Sequence, residues 1–535
     1  MKKIILYALL VFMLGFMACT KKQFSDAYSD PTKVSTTTLP IQFAGFLSSN
    51  LNYVNYHYWD YFVVYQNTLI PWSQTAVTLN TNGRYLPGAA AINDVWNTYY
   101  GFVAQYKELV KLNAALSADD QASNRIIMIA ATIYYYDFTQ KVVDLFGDIP
   151  WSEAGLLSTK SGDYVAAAAK YDDAATIYTK MLDDLKGFAD ELNSISVPTS
   201  VATLMQTQDF LNHGDINKWK MYCNSLRLKL LTRVSGVASF QSRVSSEISS
   251  IVGSPSNYPV VSDYTNNIAV KVVNITSGGV NNGTGIGASS EFYTGLIGWG
   301  SADRANEAMI DTMNNNSDPR LRVMFEPGSN ANGAYNGLDP TLASTNQNTI
   351  LNAGTIARYN RSTLSQNDYL PGTLINAAEV DFLLAEYYLK SGNDASAQAA
   401  YEAGISQSIN YYFWLRSISN DNTVAAPAPL GANEISNYLV SSGIAWSGAA
   451  TVADKLNRIA IQKWINYSVL QPMESWAEIR RLKLPSLTFL PDAGVQKLPP
   501  NRWLYPTSES TYNPTNYASV QSKDNLSTKI FWDVN

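Results

Sequence analysis

Four aromatic side chains lie in polar or glycine-rich sequence, where no helical pattern would bury them. Trp72 follows Pro71 at the start of a polar segment that leads to Tyr85, and Tyr293 and Trp299 lie in a glycine-rich segment. Sugar rings present apolar C–H faces and neutral hydroxyls, and tyrosine and tryptophan combine a flat apolar body with a polar tip. These four residues are therefore the predicted ligand-binding residues, with glycans as the ligand class. A small core beneath the loops is the alternative reading.

Acidic residues at four-residue spacing suggest a different chemistry, general acid and base catalysis. Asp303, Glu307 and Asp311 would share one face of a helix. A glycosidase needs two carboxyl groups about 5 to 10 Å apart across a cleft, and linear spacing does not establish that. Such a row is more typical of a solvated helix face. Glu379 and Glu386 also share a helical face, but their apolar flanks predict buried structural roles.

Residues that hold zinc are scarce in this chain. It has two histidines, His57 and His213, and two cysteines, Cys19 and Cys223, so a structural zinc site is excluded. Neither histidine is placed for a catalytic triad. We predict no catalytic residues.

Two loop segments have partial likeness to ligand-binding loops. Residues 283–287 are glycine-rich but lack the spacing, the following helix pattern and the Lys-Ser/Thr pair of a phosphate-binding loop. Residues 314–318 offer oxygen ligands for calcium but lack the alternating acids and terminal Glu of an EF-hand. We therefore predict no cofactor and leave structural calcium open, without an assigned position.

Cys19 ends a short apolar leader. Lys2 and Lys3 form a positive terminus, residues 4–18 are apolar, and the Ala18-Cys19 pair resembles the lipobox of bacterial lipoproteins. At about 1.5 Å per residue the apolar run spans about 22 Å, short of the roughly 30 Å hydrocarbon core. We predict a signal peptide over residues 1–18 and acylation of Cys19, which would anchor the protein to a membrane.

Charge and polarity favour neutral ligands over nucleic acid. The formal net charge is −6, which argues against a nucleic-acid partner. Only 15% of the residues are charged, well below the roughly 25% of an average domain, and neutral polar residues such as Asn, Ser, Thr and Tyr take their place. A surface that is polar without being charged suits neutral ligands.

Apolar periodicity predicts a mainly α protein built from stacked helix pairs. In residues 377–409, a helix, a Ser-Gly-Asn turn and a second helix rich in alanine resemble one tetratricopeptide unit, and residues 166–234 look like a second pair. The candidate helices cover residues 40–67, 90–116, 121–144, 166–193, 215–236, 303–314, 377–391, 394–413 and 453–482.

Long segments without helical periodicity separate these helices. Irregular segments of this length are functional or disordered in most proteins. We expect a lipidated tether at 19–39 and a single domain at 40–535. Its helical scaffold would cover about 40–250 and 377–482, and a loop-rich lobe about 251–376 and 483–535.

Several blocks, in order along nearly the whole chain, resemble the SusD/RagB family of outer-membrane lipoproteins from Bacteroidota. The blocks are DLFGDIPW at 144–151, GDINKW at 214–219, NSLRLKL at 224–230, DPRL at 318–321, AEVDFLLAE at 378–386, QKW at 462–464, ESWAEIRR at 474–481 and NRWLYP at 501–506. Their residue types indicate helix caps, helix ends and packing, so we interpret the blocks as specifying the fold.

The resemblance implies a non-catalytic binding protein. Members of the family capture oligosaccharides, or in some branches peptides, and deliver them to a SusC-like TonB-dependent transporter. They are anchored in the outer membrane and face the cell exterior. The alternatives left open are uptake of peptides, a lipid-anchored glycan-degrading enzyme, and a tetratricopeptide-type scaffold for protein interactions.

Overall fold

A computed structural model describes residues 37–271, 288–299 and 301–535 of the chain. Cys19, with the predicted leader, and the glycine-rich run 283–287 lie outside the described residues. None of the helices in the described ranges combines the length and the apolar character needed to cross a membrane.

The described residues are mainly helical, with three antiparallel pairs of short strands, and this confirms the predicted fold class. The α-helices are α1 Leu39–Ser48, α2 Leu51–Val54, α3 Leu69–Ser73, α4 Ala89–Ala114, α5 Ala118–Ser123, α6 Arg125–Phe146, α7 Ala174–Glu191, α8 Thr199–Gln208, α9 Ile216–Arg233, α10 Gln241–Gly253, α11 Ala288–Tyr293, α12 Glu307–Asn315, α13 Leu321–Met324, α14 Ser344–Asn352, α15 Ala377–Lys390, α16 Asp394–Ile418, α17 Glu434–Leu439, α18 Val452–Tyr467, α19 Pro472–Leu482, α20 Thr507–Tyr512 and α21 Pro514–Tyr517. Two π-helices cover Asp60–Tyr65 and Thr294–Gly298, and 3₁₀ turns cover Ala238–Phe240, Tyr264–Asn266, Trp446–Gly448 and Gln521–Lys523. The strands are β1 Ile149–Pro150, β2 Tyr171–Asp172, β3 Ile268–Val270, β4 Phe325–Glu326, β5 Arg358–Tyr359 and β6 Gly372–Ile375, paired as β1 with β2, β3 with β6 and β4 with β5.

The helix pair α15–α16 has the structure that its sequence predicts. The side chains of Asn376 and Asn393 cap the two helices by accepting backbone N–H groups of the first turn at 2.8 and 3.2 Å. Gly392 provides the positive φ, +79°, of the connecting turn. The helices approach so closely that a Cβ on Gly404 would lie 2.6 Å from the ring of Phe382. The tetratricopeptide-like helix pair is confirmed.

Buried ion pairs tie the long helices together. Glu379 of α15 pairs with Lys229 of α9 at 2.9 Å, and Glu386 of α15 pairs with Arg481 of α19 at 2.6 Å. Each of these side chains is less than 5% exposed. The structural roles predicted for the two glutamates are therefore confirmed.

A hydrophobic core extends along the chain from Leu39 in α1 to Trp532 near the C-terminus. The Trp532 Nε1–H donates a hydrogen bond of 2.7 Å to the buried carboxylate of Asp144 in α6. The C-terminal segment therefore packs back onto the first half of the chain.

Three predicted helices are divided in the structure. The helix expected over 121–144 is interrupted at Asn124, between α5 and α6. The helix expected over 453–482 is broken between α18 and α19, where Ser468 has a φ of +46°. Pro472 begins α19, because proline lacks an N–H to continue a preceding helix and disfavours helical backbone at the residue before it. The helix expected over 40–67 is also divided, into α1, α2 and the π-helix Asp60–Tyr65.

Candidate functional site

Trp72 is a core residue. Its side chain is 1% exposed, and its ring packs against Trp476 and Trp503 with centroid distances of 5.3 and 6.4 Å. The indole N–H donates to the Arg84 carbonyl at 2.8 Å. This burial corrects the prediction that Trp72 binds ligand, because no face of the ring reaches solvent.

Tyr85 is likewise buried, at 3% exposure. Its hydroxyl donates to the Leu490 carbonyl at 2.8 Å, and the ring lies 6.2 Å from Phe489 and 5.0 Å from the Arg84 guanidinium. The polar segment that leads to Tyr85 thus covers a packed interior. Tyr85 is corrected from a ligand-binding residue to a structural one.

Trp299 has the opposite environment and is 69% exposed. Its edge-to-face neighbours are Tyr58 and Phe62, at centroid distances of 5.9 and 6.0 Å. Tyr58 in turn stacks on Phe62 at 6.1 Å and contacts Trp59, which is 39% exposed, at 6.0 Å. We call Tyr58, Trp59, Phe62 and Trp299 the aromatic platform. Because these contacts are edge to face, much of the indole surface of Trp299 stays exposed to solvent.

The two π-helices, Asp60–Tyr65 and Thr294–Gly298, position the platform. A Cβ on Gly295 would lie 2.6 Å from the Tyr58 carbonyl oxygen, so only glycine allows the two helices to approach this closely. The fully buried Phe292 anchors the second segment, with its ring 4.6 Å from Tyr61. π-Helical turns are rare and are frequent at functional sites.

Polar groups border the platform. The Glu291 carboxylate accepts the Tyr58 N–H at 3.2 Å and lies 3.6 Å from Nε2 of His57. The Gln66 side-chain oxygen accepts the Ser301 N–H at 3.3 Å. Exposed aromatic faces thus lie beside polar side chains that are hydrogen-bonded within the protein.

Tyr293 lies in the same segment as Trp299 and is half-buried. A Cβ on Gly298 would lie 3.5 Å from the Tyr293 ring. The pKa of Arg361 is raised mainly by its hydrogen bonds to Glu326, and the nearby Tyr293 adds to this effect. Among the four predicted aromatics, the structure places Tyr293 and Trp299 in one segment and buries Trp72 and Tyr85 elsewhere.

Sequence reasoning missed the other platform residues. Trp59, Tyr58 and Phe62 lie inside the helix predicted over 40–67, where packing in the core is the expected role of an aromatic residue. The signal that could have identified them is the density of aromatic residues in YHYWDYF at 56–62, which is more than one buried helical stripe can absorb.

The expected row of carboxylates does not form. Asp303 precedes α12 and is fully buried, where it contacts Arg304 and Arg358. Glu307 and Asp311 lie on α12. The three side chains therefore share no helical face, which corrects the prediction from their spacing.

No cluster of three or more His, Cys, Asp or Glu side chains is placed to hold a metal within the described ranges. In the oxygen-rich run 314–318, the Asp318 carboxylate pairs with Arg320 at 2.6 Å, and the Asn316 side-chain oxygen accepts the Gly443 N–H at 2.9 Å. Structural calcium stays a prediction without a position.

A comparison with known families matches residues 36–506 to the SusD-like family described as "Starch-binding associating with outer membrane". No curated protein sequence matches the chain.

Solved structures with the same fold cover most of the chain. A SusD homologue from Parabacteroides distasonis is 22% identical with a TM-score of 0.71, over 93% of this chain and 98% of the homologue. A SusD-like protein titled Bacteroidetes AC2a is 20% identical with a TM-score of 0.71, over 93% and 100%. A chitin-binding SusD homologue from Flavobacterium johnsoniae is 21% identical with a TM-score of 0.67, over 92% and 99%. At these identities the structures show a shared fold.

Proposed function

The chain belongs to the SusD-like family of starch-binding proteins that associate with the outer membrane, and from that premise we propose that it captures oligosaccharides at the aromatic platform without cleaving them. Acylation at Cys19 would hold it at the outer membrane with its body facing the cell exterior. There it would deliver the bound glycan to a SusC-like TonB-dependent transporter.

The exposure of Trp299 carries the proposal for the binding site. Trp299, 69% exposed, and Trp59, 39% exposed, both contact the Tyr58 ring and so form a contiguous aromatic surface, and contiguous exposed apolar surfaces mark binding sites. Its edge contacts with Tyr58 and Phe62 fix the ring before a ligand arrives, so little side-chain entropy is lost on binding. A preformed flat apolar face matches the C–H face of a pyranose ring.

The relatives suggest which glycans to test first. The family description names starch, and the Flavobacterium johnsoniae homologue is titled chitin-binding. Malto-oligosaccharides and chito-oligosaccharides are therefore the first two ligand series.

The test is calorimetric titration of the detergent-solubilised full chain with both series. We expect the double variant Trp59→Ala with Trp299→Ala to bind at least about tenfold more weakly, since a loss of about 1.4 kcal/mol in stacking corresponds to tenfold. Tyr512→Ala is the matched control, because Tyr512 is 83% exposed on α20 outside the platform.

The same incubation separates the alternatives. Binding without released reducing sugar supports capture, whereas released sugar would indicate a glycan-degrading enzyme. If wild type and the double variant bind equally, the platform is not the site. If peptides bind and glycans do not, the ligand class is wrong.

A further inference from the structure

A cleft lined by arginines lies beside the segment that carries Trp299. Its volume is about 430 Å³, within the range of small-molecule sites. The residues that line it include Arg304, Arg358 and Arg361, a single acidic residue, Glu326, and the apolar residues Leu351 and Ile356. In a chain with a formal net charge of −6, three arginines around one cleft form a local positive surface.

The carboxylates near the cleft only partly neutralise these arginines. Glu326 is committed to Arg361 through two hydrogen bonds of 2.8 and 3.0 Å. The buried Asp303 is shared by the other two: it contacts Arg304, and its Oδ2 lies 3.4 Å from Nε of Arg358. The Arg358 side chain is 42% exposed, so it can reach a ligand in the cleft.

Burial and the nearby Arg358 both disfavour the charge of Arg304, while the contact with Asp303 favours it. Burial and the neighbouring Arg358 lower the pKa of Arg304 to about 10, whereas an arginine in water titrates above about 12. The two guanidinium groups therefore repel each other across a partly desolvated space. A bound anion would relieve this repulsion.

The cleft and the aromatic platform draw on neighbouring parts of the chain. Arg304 follows Trp299 by five residues, and its backbone pairs with Val77. Tyr293, in the segment that carries Trp299, is close enough to Arg361 to raise its pKa. A chain of sugars on the platform could therefore extend toward the cleft.

We propose that the arginine cleft binds an oxyanion substituent of the captured glycan, either a uronic-acid carboxylate or a sulfate ester. The planar guanidinium fork matches both groups, because each presents two oxygens to two N–H donors. Leu351 and Ile356 would contact the apolar face of the sugar that carries the anion. The proposal rests on the proposed function and names acidic glycans as its ligand class.

The first experiment tests the cleft without the platform. The thermal midpoint of the full chain is measured in sodium glucuronate, sodium sulfate and sodium chloride at equal ionic strength. We expect glucuronate or sulfate to raise the midpoint above that in chloride by more in wild type and Arg125→Gln than in Arg358→Gln, because the general stabilising effect of sulfate acts on all three proteins alike. Arg125 is the matched control, since it is 43% exposed and also ion-paired, with Glu191 at 2.8 Å.

The two anions distinguish the two candidate substituents of the glycan. Stabilisation by glucuronate that depends on Arg358 supports a uronic acid, and stabilisation that depends on Arg358 in sulfate alone supports a sulfate ester. Equal midpoints in all three salts, or equal anion effects in wild type and Arg358→Gln, would overturn the proposal.

The second experiment separates this proposal from the proposed function. Calorimetry compares neutral and acidic oligosaccharides of equal length, and we expect Arg358→Gln to weaken only acidic binding, by about tenfold. If Arg358→Gln binds both neutral and acidic oligosaccharides as tightly as wild type does, the proposed anion site is wrong, while the proposal for the platform still holds. If glucuronate or sulfate stabilises the protein but no oligosaccharide binds, the proposed function is wrong, while the cleft is still an anion site.

Discussion

A buried carboxyl group in α15 makes the stability of the fold depend on pH. Asp381 is 7% exposed, and burial raises its pKa to about 8, compared with about 3.9 in an unfolded chain. Between these two values the folded state holds a proton that the unfolded state releases. Stability therefore falls as the pH rises from about 4 to 8, by up to about 1.4 kcal/mol per pH unit.

We predict that Asp381→Asn is more stable than wild type at pH 7, because asparagine needs no proton to be buried. The advantage should shrink as the pH falls toward 4 and vanish below it, where Asp381 is protonated in both states. Chemical unfolding at several pH values measures it. Asp311→Asn, at an exposed position on α12, should keep the wild-type profile, and a pH-independent gain in Asp381→Asn would contradict the prediction.

Residue exposure shows the limit of what the sequence reveals about the site. Trp72 and Trp299 both lie in segments without helical periodicity, and local sequence does not separate them. Trp72 is covered by Trp476 and Trp503, about 400 residues away along the chain. Among the described residues, the rings in contact with Trp299 are those of Tyr58 and Phe62, which meet it edge to face. Long-range packing decides which aromatic stays open, and periodicity carries no information about it.

At the scale of elements, charged side chains in the core join the helices of the scaffold. Arg233 of α9 contacts both Glu474 and Glu478 of α19, at 2.6 and 2.9 Å. Arg481 of α19 contacts Glu386 of α15 at 2.6 Å. Burial alone would raise the pKa of Glu386, but Arg481 and neighbouring lysines outweigh it and hold that pKa well below its usual range. The ionised network thus fixes how α9, α15 and α19 pack.

We predict that Glu386→Gln destabilises the protein by about 3 to 5 kcal/mol at pH 7, because it leaves buried cations without their anion. Since the folded-state pKa is lowered, the contribution of Glu386 is present above the unfolded pKa of about 4.3 and is lost as the pH falls below it. The difference in free energy of unfolding between wild type and Glu386→Gln, measured in urea, should therefore become smaller in acid.

Glu434→Gln is the control for that measurement. Glu434 pairs with Arg322 at 2.6 Å, but both side chains are partly exposed, so the expected cost is about 0 to 1 kcal/mol. Equal costs for the two variants would show that the buried network adds no stability beyond that of a surface pair.

The sequence predicts a helix correctly where apolar spacing, caps and turn residues agree. It predicts one incorrectly where apolar spacing continues across a residue that ends a helix. In α15 and α16, apolar spacing, the Asn376 and Asn393 caps and Gly392 all indicate the same helix pair. In residues 453–482 the periodicity continues across Pro472, and the proline was the signal for a break. The π-helices depend on contacts between residues 56–66 and 288–299, which no short sequence window contains.

At the scale of the whole molecule, the platform is fixed to the scaffold. Tyr61, beneath the platform, donates its hydroxyl hydrogen bond to the Val469 carbonyl at 2.7 Å, between α18 and α19. Packing across more than 400 residues thus holds the platform in one orientation. A rigid surface at a membrane would present each captured glycan to the same side of a transporter.

We predict that Cys19→Ala moves the protein from the membrane fraction to the soluble fraction and reduces glycan uptake, while its glycan affinity in solution stays unchanged. Acyl chains would hold the protein beside the transporter and raise its effective concentration there, so that weak capture suffices for uptake. Fractionation, mass spectrometry of the N-terminal peptide and uptake of a labelled oligosaccharide measure these effects.

Trp299→Ala should give the reverse pattern, with normal membrane retention and weak binding. If Cys19→Ala stays in the membrane fraction, the anchor is not at Cys19; if it leaves the membrane but uptake is normal, tethering is not what makes capture productive.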